Sequence, residues 1–82
     1  MASNIDPDIL EIMEKIGEQV RELRKSSTDK PYSDFATNTL EINKNTYFRI
    51  EQGKMDYNIS WLLKILTHHD IKLSQFLMDA GL

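Results

Sequence analysis

Three donor-bearing side chains stand close together in the middle of the chain: Lys44, Asn45 and Arg49. An asparagine amide pairs with the edge of adenine, and arginine or lysine donates to the O6 and N7 atoms of guanine. If Asn43 caps a helix, Lys44 and Asn45 lie in its first turn, with Arg49 four to five residues on, on the same face. The competing reading is an ordinary solvated helix face. Tyr32, Ser33, Thr46, Lys54 and Asn58 carry hydroxyl, amide and ammonium groups of the kind that hold phosphate without reading sequence. Plain capping and solvation explain this second set equally well.

Other chemistries find less support. His68, His69 and Asp70 invite a metal, but neighbouring residues on a helix point about 100° apart. Two adjacent histidines therefore make a poor chelate, and no metal site is expected. The chain has no cysteine, which removes disulfides and thiolate zinc sites. No nucleophile–base–orienter arrangement and no glycine-rich phosphate loop is present, so neither an enzyme nor a cofactor or small-molecule substrate is expected.

Eighty-two residues make one small domain spanning 1–82. A chain of this size buries only about 60% of the surface its unfolded form exposes. With 40% hydrophobic and 28% charged residues it reads as globular, stabilised by apolar burial. No apolar run approaches the ~18 residues of a membrane span. The first residues carry acids and no leading basic cluster, so a secretory signal is not expected and the cytoplasm is the expected location. The net charge of −3 weighs against a nucleic-acid partner, but its distribution is uneven. Residues 1–22 carry a local −4, residues 23–54 a local +2 and residues 55–82 a local −1. The middle third is the one basic region.

The elements that must position these residues are helices. Ile9, Met13, Ile16, Val20 and Leu23 recur at helical spacing over about Pro7 to Lys25, after the start signal Asp6, Pro7, Asp8. A loop from Ser26 to Pro31 leads to a short helix from Tyr32 to Leu40, and Glu41 to Asn43 is a brief connection. Asn43 then caps a helix that Gly53 ends in a left-handed conformation. After a loop from Lys54 to Asn58, a fourth helix runs from about Ile59 to His69 and a fifth from about Leu73, with Phe76 and Leu77 inward. No strand-like alternation or repeat occurs. The fold class expected is all-α, with five helices.

Residues 31–53 add a more specific pattern: two short helices joined by a tight turn, the second closing on Arg49-Ile50-Glu51-Gln52-Gly53. This resembles the helix-turn-helix domain of the phage repressor and Cro type, the xenobiotic response element family. Phe35-Ala36 looks like the pair on that family's first turn-helix. Leu62, Ile65, Ile71, Leu73 and Phe76 match its core positions, and His69 falls on another. The resemblance covers roughly residues 16–77, about three quarters of the chain. The spacing from Ala36 to Glu51 is one residue longer than usual, which implies a bulged turn, and the usual turn glycine is replaced by Glu41 or a neighbour. The first helix starts about two turns early, giving a repressor-like domain with an N-terminally extended first helix.

The resemblance implies a sequence-specific regulator of transcription that binds double-stranded DNA. It implies base contacts from Lys44, Asn45 and Arg49, and phosphate contacts from Tyr32, Ser33, Thr46, Lys54 and Asn58. It also implies a structural ion pair between Arg24 and Glu51. The alternative is a protein-interaction module that keeps the fold without DNA binding. Ile9, Leu10, Ile12 and Met13 lie on the extension, where they either close the monomer's own core or form the seam of a homodimer.

Overall fold

The computed structural model describes residues 7–53 and 57–82. Five helices and no strand occur among them: α1 (Pro7–Ser27), α2 (Tyr32–Asp34, continuing without a break as a π-helical stretch over Phe35–Leu40), α3 (Lys44–Gln52), α4 (Ile59–His68) and α5 (Leu73–Asp79). The chain is all-α. Asp6, one of the three residues of the expected start signal for α1, lies outside the described residues, while Pro7 and Asp8 open the helix and Arg24 and Lys25 stand in its last turn, where the helix dipole favours cations.

The core gathers one stripe from each helix. Val20, Phe35, Ala36, Leu40, Tyr47, Ile50, Leu62, Ile65, Leu66 and Phe76 are all buried. Ile16, Leu23, Ile71 and Leu77 pack against them from the side. Ile42, which the sequence places in a mere connection, is only 1% exposed and plugs the gap between α2 and α3. In the other direction, Leu73 is 39% exposed rather than part of the core, because it opens α5 on the solvent side. Ile59 and Leu63, one turn apart on α4, also face outward.

The junction between α2 and α3 differs from the bulged turn expected. The extra residue is absorbed inside α2, whose last turns widen to π geometry. Glu41 then takes a left-handed conformation, φ 59°, and donates its N–H to the Ala36 carbonyl. Ile42 donates to the same carbonyl at 2.8 Å. This is a Schellman-like closure one residue wider than that of an ordinary α-helix. Glutamate is a costly residue in that conformation, since the left-handed region costs an L-residue about 1–2 kcal/mol. Part of that cost is offset by the freer unfolded chain of a glycine variant. Glu41→Gly should therefore stabilise the domain by about 0.5–1 kcal/mol, read as a higher midpoint in thermal unfolding.

The α4 helix closes in the same manner but at ordinary width. Asp70, φ 56°, is the left-handed residue. Ile71 donates to Leu66 at 3.0 Å and Asp70 to Thr67 at 3.1 Å.

Candidate nucleic-acid interface

The start of α3 is fixed by its cap. Asn43 has non-helical backbone geometry, φ −54° and ψ 131°, and its Oδ1 accepts from the N–H of Asn45 at 2.8 Å and of Thr46 at 3.4 Å. Two of the helix's orphan donors are satisfied in this way. The far end is fixed by Gly53, φ 66°, whose N–H reaches the carbonyls of Arg49 and Ile50. Between these stops the helix has two sides. Tyr47, Ile50 and Glu51 point inward, while Lys44, Asn45, Phe48 and Arg49 are exposed.

Electrostatics sharpen that division. Glu51 is the one acid of α3. It is 5% exposed and turned to the interior, where Arg24 of α1 grips it. Arg24 Nε donates to Glu51 Oε2 at 2.8 Å and Nη2 to Oε1 at 3.2 Å, a two-pronged contact. The hydrogen bond to Glu51 raises the Arg24 guanidinium above its ordinary pKa despite partial burial. The same guanidinium reaches the Lys30 carbonyl at 3.3 Å, tying the loop after α1 to the pair. The Tyr47 hydroxyl is buried beside this pair without a hydrogen-bond partner. Burial first, then the Glu51 carboxylate, push that phenol well above its usual range. The charges on the outward side of α3 are thus Lys44 and Arg49, with no acid between them.

The proposed phosphate residues fall into two groups. Thr46 and Arg49 on α3 line a small cleft with Asn58 at the head of α4. Tyr57 and Trp61 complete the same cleft. The structure thereby brings Arg49, assigned from sequence to a base edge, beside two residues assigned to phosphate. Asn58 takes the cap position of α4 but makes no capping hydrogen bond with its side chain. Tyr32 and Ser33 stand apart from that cleft, half-buried in the first turn of α2. The Tyr32 ring packs on Phe48, with centroids 5.1 Å apart and planes tilted by 36°. Lys54 lies outside the described residues.

Tyr57 and Trp61 were not legible as site residues. Burial raises the Tyr57 phenol. The Lys64 ammonium lies 5.9 Å from the Trp61 ring centre, over its face. Both aromatics border the cleft from the head of α4, Trp61 within its first turn and Tyr57 just before the helix, a meeting of elements that no spacing in the sequence encodes. The faint signal available was Trp61 itself, a large aromatic one position off the Leu62, Ile65, Leu66 stripe.

His68 and His69 are not arranged as a chelate. Their rings are nearly perpendicular, 5.1 Å apart, and both pack on Phe35. No group of three or more histidine, aspartate or glutamate side chains placed to hold a metal occurs among the described residues. The His69 Nε2 atom is buried without a partner. Burial, and secondarily His68, hold the His69 pKa below the usual histidine value. The unfolded chain therefore binds this proton more readily than the folded one. The associated stability is present above the unfolded pKa of about 6.5 and is lost as pH falls below it. Thermal midpoints measured through that range should decline toward acid, and His69→Gln should flatten the decline.

No family model matches the chain, and neither a curated protein nor a solved structure matches it. No helix among the described residues is long and apolar enough to cross a membrane.

Proposed function

We propose that this chain is a sequence-specific, double-stranded-DNA-binding regulator of transcription, of the repressor and Cro type. In this reading α2 and α3 form the helix-turn-helix and α3 enters the major groove. The observation that carries it is the outward side of α3. In a chain of net charge −3, that side presents Lys44, Asn45 and Arg49, and its only acid, Glu51, is withdrawn into an ion pair. Along α3 itself a duplex meets cations and amides and no carboxylate, while Glu41, an exposed acid in the turn before it, lines a hollow with Lys44. The cleft of Thr46, Arg49, Tyr57, Asn58 and Trp61 lies alongside, suited to the sugar–phosphate backbone.

The proposal includes a homodimer. Ile9 is 52%, Ile12 45% and Met78 71% exposed, on two helices, α1 and α5, that touch, and Leu82, just beyond α5, is 43% exposed. An isologous contact through this apolar surface would set two copies of α3 on half-sites about 34 Å apart.

Selection from a pool of randomised duplexes tests both parts. The wild-type chain should enrich inverted half-sites about one helical turn apart. Asn45→Ala and Arg49→Ala should each weaken the enriched site by about 1–3 kcal/mol and relax the base preference at one position. Lys54→Ala should weaken all sequences alike. Uniform losses from all three would contradict the base-reading roles.

The second reading is a protein-interaction module that keeps this fold without binding DNA. The net charge of −3 and the exposed Ile59 and Leu63 on α4 favour it. A pool from which nothing is enriched, even at low salt, would decide for it.

A further inference from the structure

Phe48 stands off the core stripe of α3. It sits on the outward side of α3 between Asn45 and Arg49, three residues after one and directly before the other, and is 41% exposed. The inward stripe is already complete with Tyr47 and Ile50, so the core does not require this ring. Nor is the ring loose. One side of it rests on Tyr32, 5.1 Å between centroids, which fixes its orientation and leaves the rest free among polar donors.

Resting on the DNA reading above, we propose that Phe48 reads the C5-methyl group of a pyrimidine in the major groove. The groove edge of each base pair is otherwise a pattern of hydrogen-bond donors and acceptors, and the thymine methyl is its one apolar feature. A phenyl ring cannot answer donors or acceptors but does gain from covering a methyl group. Because Tyr32 already holds the ring, little side-chain freedom is lost on contact. Residues three and four apart on a helix are neighbours, so the base pair read by Phe48 adjoins those read by Asn45 and Lys44. Thymine and 5-methylcytosine present the same methyl at the same place, and the chemistry assigned is that of a 5-methylpyrimidine.

The test scans the duplex enriched by the wild-type chain, replacing each thymine in turn with uracil. One thymine per half-site should matter, with about fourfold weaker binding when its methyl is removed, the worth of burying one such group. At that position a cytosine·guanine pair and its 5-methylcytosine counterpart should differ by a similar factor. Phe48→Ala should bind the thymine and uracil duplexes alike, with a thermal melt confirming that it is folded, and Phe48→Leu should keep part of the preference. The proposal is overturned if uracil is neutral everywhere, if cytosine and 5-methylcytosine bind equally, or if Phe48→Ala keeps the methyl dependence. Those results leave the DNA reading standing. Retention of no duplex at all removes both and assigns the Phe48 face to a protein partner.

Discussion

Arg24→Met should cost the domain about 3–5 kcal/mol, a large part of the stability of a chain this size. The loss is not that of a surface salt bridge. Glu51 is 5% exposed and the Arg24 side chain 14%, and both guanidinium nitrogens facing the carboxylate are hydrogen-bonded to it. Removing Arg24 strands a carboxylate in the interior next to the Tyr47 hydroxyl, which already has no hydrogen-bond partner. Lys25→Met is the comparison, because Lys25 is exposed in the same turn and its loss should stay within about 0.5 kcal/mol. Denaturant unfolding separates the two outcomes. A double replacement, Arg24→Met with Glu51→Met, should recover much of the loss, since the penalty comes from the unpaired charge. Equal, small effects of Arg24→Met and Lys25→Met would show that solvent already screens the pair.

Gly17→Ala should cost about 3 kcal/mol although alanine is the better helix former by about 1 kcal/mol. A Cβ at Gly17 would stand 2.5 Å from the Glu51 carbonyl oxygen and 2.7 Å from that of Ile50. These are backbone atoms at the C-terminal end of α3 and cannot swing aside as a flexible side chain would. Gly53 makes the reciprocal approach: its Cβ position lies 2.6 Å from the Met13 carbonyl and the Glu14 Cα of α1. Two glycines thus let α1 and α3 meet backbone to backbone. Gly17 and Arg24 are seven residues apart, two turns along one face of α1. The close approach and the ion pair together fix how α3 is presented. Gly81→Ala serves as the control, because nothing lies within 4 Å of its Cβ position and only its φ of 82° is at issue. A rise in the thermal midpoint of Gly17→Ala would mean that α1 can slide off α3 at no cost.

What could be read from the sequence was mostly local. Asn43 as a cap and Gly53 as a stop are interactions of a residue with its own neighbours, so the ends of α3 follow from residue type. The exposure of Lys44, Asn45 and Arg49 follows from the same helix phase. What could not be read depends on how elements meet. Ile42 is buried because α2 widens before it, and a single extra residue does not say whether a loop or a helix will absorb it. Gly17 has no mark in a periodic stripe, since its role is the backbone it touches on α3. Tyr57 and Trp61 reach the cleft because the head of α4 lies beside α3. Leu73 fits the apolar pattern yet faces solvent, because a helix of seven residues has few positions to bury.

The central claim, that the outward side of α3 engages duplex DNA, is tested most directly by a mobility-shift titration against mixed-sequence duplexes. It is run at about 50 mM and about 200 mM salt, where loss of phosphate contacts is plainly visible. The account predicts retention at the lower salt, a marked loss at the higher, and a weaker complex for Arg49→Ala at both. No retained duplex at the lower salt, where electrostatic attraction is strongest, would contradict it.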